Sequence, residues 1–307
     1  MHVGVLLPTR EALRADRPEV ITSFAEAAER AGVDSLWTGD SLLARPLFDP
    51  FVVLASVAAR TQHVGIGTAA LLAPLRPAVP TAQALASIDK LSNGRLIVGA
   101  GRGFDLPETR REFEAAGVDF DRRSSRMNET IRTWRACWAP DGELLPKPVQ
   151  PGGPPVWIAG YGPAAFRRAG RLGDGWLPYP PTAEAYADGL AQVRAEAERA
   201  GRDPDDIAPV VMVTVAIADD PAVAQQDLAM YVPEFYNYPL ELVSLLQAMR
   251  AGTADDIVDA LREYWDAGAR TFLIRLASLT DPLAALDVFT SDVVPRMREW
   301  APVPVGA

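Results

Sequence analysis

Cysteine is almost absent from this chain: Cys137 stands alone among 307 residues, which excludes an intrachain disulfide and a cysteine-based metal cluster. It lies at helical spacing among Met127, Ile131, Trp134 and Trp138, the setting of an inert thiol close to packed side chains. Histidine is scarce too, with only His2 and His63. No apolar run approaches the roughly 18 residues that a transmembrane helix needs. The opening Met1-His-Val-Gly-Val-Leu-Leu-Pro8 has no basic leader and reads as a first strand, not a signal peptide, so the expected location is the cytoplasm. Positive charge is also short. The net charge is -10 and the pI about 4.8, with only Lys90 and Lys147 as lysines before position 150. Phosphate backbones and anionic membranes require the opposite balance, so neither nucleic acid nor a membrane is an expected partner.

What is present fits an α/β protein. At 49% hydrophobic and 23% charged, 307 residues suit one barrel domain spanning 1–307. Short β-branched runs alternate with amphipathic helices from end to end, which indicates a parallel sheet with helical crossovers. Strands are expected at Val3 to Leu7, Ser35 to Trp37, Val64 to Ala70, Leu96 to Ala100, Val156 to Ala159, Gly175 to Leu177, Val210 to Ile217 and Thr271 to Arg275. Eight such units predict a closed barrel.

Local signals support the helices. Ile21, Phe24, Ala25 and Ala28 recur at i, i+3, i+4 and i+7, behind Pro18 and ahead of Gly32. Asp49-Pro50 opens a second helix in the same way, and Thr253 with Asp256 forms a capping-box pattern before Ile257, Leu261, Tyr264 and Trp265. Two stretches exceed a minimal barrel: 138–155, rich in Pro and Gly, and about 219–252, which contains Tyr231-Val-Pro-Glu-Phe-Tyr-Asn-Tyr-Pro239. Insertions of this length serve as lids, binding loops or interfaces. The second is the candidate substrate lid, and its aromatics equally suit a dimer contact.

Active sites of parallel barrels gather at the C-terminal strand ends. That rim collects Asp40, Ala69 to Arg76, Arg102 to Asp105, Gly160 to Pro163 and Pro178 to Pro181. Both histidines fall at the other end, so no catalytic histidine is expected. Arg102 lies between Gly101 and Gly103, where its planar fork suits bidentate phosphate binding; the alternative is a surface salt bridge to Asp105 or Glu108. Gly160-Tyr161-Gly162-Pro163 opens a helix, whose amides and dipole favour an anion. Gly173-Asp-Gly-Trp176 belongs to the opposite end and reads as structural. Asp40 is either an acceptor that holds a loop or an acid beside a cofactor ring. No cluster has metal spacing, and there is no Walker loop or Gly-x-Ser-x-Gly elbow.

At these residues the chain resembles the bacterial luciferase-like monooxygenase family, which includes flavin-dependent monooxygenases and oxidoreductases dependent on the deazaflavin coenzyme F420. The resemblance runs over nearly the whole length. It is carried by Leu36-Trp-Thr-Gly-Asp40, by Val64-Gly-Ile-Gly-Thr-Ala-Ala-Leu-Leu-Ala-Pro-Leu-Arg-Pro77, by Asp89-Lys-Leu-Ser-Asn-Gly-Arg-Leu96 with Gly99-Ala-Gly-Arg-Gly103, and by Ile158-Ala-Gly-Tyr-Gly-Pro163 with Leu172-Gly-Asp-Gly-Trp176. It implies a TIM barrel with insertion segments, a homodimer, and a non-prolyl cis peptide at Ala69-Ala70 that supports the flavin ring.

The cofactor site it implies comprises Asp40, Ala69, Ala70, Arg102, Ala159, Gly160, Tyr161 and Gly162. Phe104, Trp176 and Tyr179 are the candidate lining of a substrate pocket, or else core and loop packing. Arg102 aligns with an arginine that binds the FMN phosphate in luciferase-like enzymes, so reduced FMN, supplied by a separate flavin reductase and reacting with O2, is the first expectation. Coenzyme F420 with hydride transfer is the alternative, and a non-catalytic flavin-binding protein a further one. Family members often carry a histidine after strand two, where this chain has Asp40-Ser41. A barrel aldolase or isomerase acting on a sugar phosphate would call for a rim lysine or a glutamate pair, and neither is found.

Overall fold

The computed structural model describes residues 1–300. Its strands are β1 (His2–Leu6), β2 (Ser35–Thr38), β3 (Gly65–Leu72), β4 (Leu96–Gly101), β5 (Val156–Ala159), β6 (Gly175–Leu177), β7 (Ala208–Ile217), β8 (Met249–Gly252) and β9 (Thr271–Leu276). Every pairing is parallel, and β6 meets β7 through Gly175–Ala208 and Trp176–Pro209, so eight strands close into a (β/α)8 barrel.

The exception is β8, which lies inside the insertion expected at about 219–252 and not among the eight expected strands. Successive alternate amides of β7 go first to the end of β6 (Met212 to the Pro178 carbonyl, 3.0 Å) and then to Ala248 (Thr214, 3.0 Å). Short β6 thus ends early, and β8 takes its place along the outer half of β7. Met249-Arg-Ala-Gly252 contains no β-branched residue, so its strand character comes from pairing and not from propensity.

Helices lie between the strands: α1 (Thr9–Arg14), α2 (Glu19–Arg30), α3 (Pro50–Arg60), α4 (Ala78–Leu91), α5 (Pro107–Ala115), α6 (Arg123–Trp138), α7 (Pro163–Leu172), α8 (Ala183–Arg199), α9 (Pro221–Tyr236), α10 (Leu240–Ser244), α11 (Ala254–Asp266), α12 (Pro282–Val288) and α13 (Val294–Arg298). The expected caps form. Asp49 accepts from the Phe51 amide at 2.8 Å, and Thr253 and Asp256 make a reciprocal capping box. Gly32, just past α2, adopts φ +77°, a conformation that favours glycine.

Inside the barrel, Trp37 and Trp157 stack with centroids 5.0 Å apart, above Leu6, Leu177, Val210, Met212 and Leu273. Glycines make that room: a Cβ on Gly67 would lie 2.5 Å from the Trp37 ring. A larger apolar layer fills the space between strands and helices. Segment 138–155 belongs to the end away from the active rim. There Lys147 Nζ donates to the carbonyls of Cys137, Ala139 and Gly142 (3.1, 2.6 and 2.8 Å), and Asp89 accepts from the amides of Val149 and Gln150. Among the described residues no helix is long and apolar enough to cross a membrane.

Candidate active site

The rim of the barrel opens into one cavity of about 640 Å³. On one side it is bounded by backbone and very small side chains. The Ala69-Ala70 peptide is cis, and the register of β3 against β4 shifts between Thr68 and Leu71. Opposite this bulge sits Gly101, where an added Cβ would lie 3.3 Å from Ala70 Cβ and 3.8 Å from Ala159 Cβ. Ala69, Ala70, Gly101, Ala159 and Gly160 all line the cavity, so a flat ring can lie against β3, β4 and β5 without displacing a side chain.

Arg102 follows directly on β4 and lines the same cavity. It does not form the salt bridge that was the alternative, because Asp105 pairs with Arg110 (2.8 Å) and lies 3.6 Å from Arg123. Among the described residues Arg102 meets no acceptor. Next to it α7 begins: Gly160 and Gly162 adopt φ +125° and +101°, which turns the chain so that Gly160, Tyr161, Ala164 and Ala165 border the cavity. The first amides of a helix lack intrahelical partners. A cation and a helix start therefore converge. Two further arginines reinforce the positive field. Burial lowers the pKa of both Arg123 and Arg168, and repulsion from Arg102 adds to it; Arg123 Nε has no partner among the described residues.

Other candidates are placed differently. Asp40 lines the cavity, but its carboxylate accepts from the Leu72 amide (3.0 Å) and from Arg76 Nη2 (3.1 Å), which also reaches Asp49 (3.0 Å). Burial raises its pKa, against the opposing pull of Arg76. It ties the loop after β2 to the end of β3, which is the acceptor role. Tyr161 directs its hydroxyl to the Ala185 carbonyl of α8 (2.8 Å), so only its ring and backbone face the cavity.

Trp176 corrects an expectation: it is fully buried, stacks on Tyr186 at 5.4 Å and donates to the Gly160 carbonyl at 3.0 Å. In β6 its neighbours Gly175 and Leu177 face the barrel interior, so strand alternation turns Trp176 out towards the helices. It braces the turn before α7 and does not line the cavity. Phe104 and Tyr179 do, with ring centroids 5.7 Å apart, and burial holds the Tyr179 phenol well above its ordinary pKa. His2 sits at the opposite end, bonded to Ser35 Oγ at 2.8 Å. Among the described residues no group of side chains could hold a metal ion.

Insertion 219–252 forms α9, α10 and β8, and its aromatics turn inward. Tyr231, Phe235, Tyr236 and Tyr238 line the cavity. They surround charged residues that sequence reasoning missed. Arg275, at the end of β9, donates to the Tyr236 hydroxyl at 2.6 Å, and Glu11 of α1 accepts from the Tyr231 hydroxyl at 2.7 Å. Glu112 of α5 is buried, and its Oε1 accepts from Ser41 Oγ and the amides of Leu42, Leu43 and Ala44 at 2.6 to 2.9 Å. The loop 41–45 is wrapped on that one atom. Arg45, in the loop after β2, and Arg275, near the end of β9, were findable as rim positions; Glu112 carries no signal, since its partners are mostly amides about 70 residues away.

Glu11 gives this side a pH dependence. Burial raises its pKa above 4.5, with Tyr231, Arg275 and Arg10 acting in the opposite sense. A carboxyl whose folded pKa is raised contributes fully below the unfolded value, and the contribution is lost as pH climbs through the folded value. Stability should therefore fall over that window by at most about 1.4 kcal/mol per pH unit. Urea unfolding of Glu11→Gln between about pH 4 and 8 should lack that fall. A decline equal to that of the parent protein would remove Glu11 as its source.

The luciferase-like monooxygenase family model matches residues 1–271. The chain belongs to that family. An F420-dependent glucose-6-phosphate dehydrogenase of Nocardia farcinica is 30% identical to it, covering 92% of this chain and 95% of that protein. The enzyme of the same name from Rhodococcus erythropolis is also 30% identical, over 92% and 94%. Among solved structures, a monooxygenase from Streptomyces bottropensis superposes with a TM-score of 0.80 at 23% identity, covering 96% of this chain and 99% of that one. An F420-dependent secondary alcohol dehydrogenase gives 0.78 at 20% identity, covering 97% and 99%. These likenesses agree with a luciferase-like barrel of the oxidoreductase type. Arg102 by itself does not separate FMN from the deazaflavin. The reason is chemical: both coenzymes carry a phosphate, so an arginine that grips an anion does not separate them.

Proposed function

We propose that this chain is a coenzyme F420-dependent oxidoreductase that transfers a hydride between the deazaflavin and a small organic substrate in the same cavity. The observation that carries a phosphate-bearing coenzyme in this cavity is Arg102, a cation on its wall with no acceptor among the described residues, beside the opening amides of α7. The curated relatives named above support F420 over FMN.

The residues present fit such a group. Ala69, Ala70, Gly101 and Ala159 leave the space of a flat ring, and Arg102 with the 160–165 turn would hold its phosphate. When bound, the deazaflavin supplies a ring carbon that gives or takes a hydride. The chain's own part is to bind, orient and exclude water. Tyr179 keeps its proton and can donate a hydrogen bond to a substrate oxygen where negative charge builds. Asp40, engaged by Arg76, holds the loop and leaves proton transfer to other groups.

The test is a fluorescence titration of the purified protein with F420 and with FMN. F420 should bind at least about tenfold more tightly, a difference near 1.4 kcal/mol. FMN binding as tightly or more so would restore the monooxygenase assignment and its need for a flavin reductase.

A further inference from the structure

On the α9 side of the cavity three guanidinium groups gather. Arg10 donates to the Phe235 carbonyl and to Asn237 Oδ1. Arg275 donates to Tyr236 and lies over the Phe235 ring at 4.0 Å. Arg45 differs. Its guanidinium lies 5.2 Å from the centre of the Tyr236 ring and has no hydrogen-bond acceptor or ion-pair partner among the described residues.

The carboxylates nearby are already engaged, Glu11 by Tyr231 and Glu112 by Ser41 and three amides. Glu108, a third carboxylate on this wall, accepts from the Tyr238 hydroxyl at 3.3 Å, so none of the three is bonded to Arg45. Two further polar groups on the cavity wall also lack a partner among the described residues: the Gln247 side chain, whose Oε1 is buried without a hydrogen bond, and the Tyr179 hydroxyl. A half-buried guanidinium without a counter-ion is costly unless a ligand supplies the charge. Glu112 adds a second argument, because its four bonds shape the very loop that presents Arg45.

We propose that the substrate is an organic carboxylate whose carboxyl group sits on the free fork of Arg45, with Gln247 and Tyr179 meeting its other polar atoms. The inference deepens the reading above and rests on it only in that substrate and coenzyme share one cavity. The open group is a single guanidinium with one planar fork, which matches a planar, singly charged acceptor better than a phosphate dianion. The rings of Phe104, Phe235 and Tyr236 supply apolar faces for the rest of the molecule. Arg102, reserved for the coenzyme, serves a separate charge.

Calorimetric titration of the purified protein, with and without F420, tests this with matched pairs: mandelate against 1-phenylethane-1,2-diol, and lactate against propane-1,2-diol. At least one acid should bind about tenfold or more tightly than its diol. Arg45→Met should erase that preference and leave F420 affinity unchanged, and Arg45→Lys should retain part of it. Diols that bind as tightly as the acids, or a preference that survives Arg45→Met, would overturn the proposal. So would failure of every acid to bind below about 20 mM, a free energy of only about 2 kcal/mol. Phenyl phosphate binding more tightly than mandelate would overturn the carboxylate assignment in favour of a phosphate ester. Acids binding as expected to a protein that does not take up F420 would sink the coenzyme reading and leave this one standing.

Discussion

Arg102→Ala is expected to weaken F420 binding by about ten- to a hundredfold. Charge-assisted hydrogen bonds contribute about 1.5 to 3 kcal/mol each, and every 1.4 kcal/mol is a factor of ten. Unlike most arginines of the chain, Arg102 has no acceptor among the described residues, so its removal leaves no buried partner exposed. The unfolding midpoint without coenzyme should therefore stay within about 0.5 kcal/mol of the parent, as for surface substitutions. Affinity and stability separate the two roles. Arg102→Lys should recover part of the affinity, because an ammonium retains the charge but loses the planar fork. Raising the salt concentration should narrow the gap between parent and alanine variant, as the cavity mouth admits counter-ions. Unchanged F420 affinity in Arg102→Ala would place the phosphate elsewhere.

Glu112→Ala should have the largest effect on the protein itself, a loss of about 2 to 4 kcal/mol of stability. A buried donor deprived of its acceptor costs about 1 to 3 kcal/mol, and this substitution strands one hydroxyl and three amides together. The sum is not additive, because the freed loop can move towards water. Glu112→Gln keeps an oxygen acceptor at the same place and should cost less. Hydrogen exchange supplies the sharper reading, since the amides of 42–44 should lose protection while β1 to β4 retain it. An alanine variant with parental stability and a protected 42–44 segment would show that the loop holds itself. The consequence for function follows from Arg45, which the same loop carries: carboxylate binding should weaken in Glu112→Ala, because the lost acceptor frees the loop that presents the guanidinium.

Much of the cofactor side was legible because its determinants are local. A strand that ends in Gly-Ala-Gly-Arg-Gly, a turn with two glycines at positive φ, and a pair of alanines after β3 each signal a backbone geometry by residue type alone. The place of Trp176, pocket lining or core, stayed open in the sequence for an equally local reason. A three-residue strand is too short for its pattern to reveal which face is inward, and only the packing of Gly175 on Trp157 settles it.

The alternation of β-branched runs with amphipathic helices, the caps at Asp49 and Thr253 and the rim placement of Arg102 and Gly160 to Pro163 were determined by the sequence alone, because each depends on contacts within a few residues or on a fixed period. Which charges are free was decided only by the tertiary structure. Whether Arg45 and Arg102 keep their forks open, and whether Asp40 and Glu112 are occupied, depends on partners from 32 to 71 residues away. A linear pattern counts charges, but electrostatics and hydrogen bonding depend on distance in space.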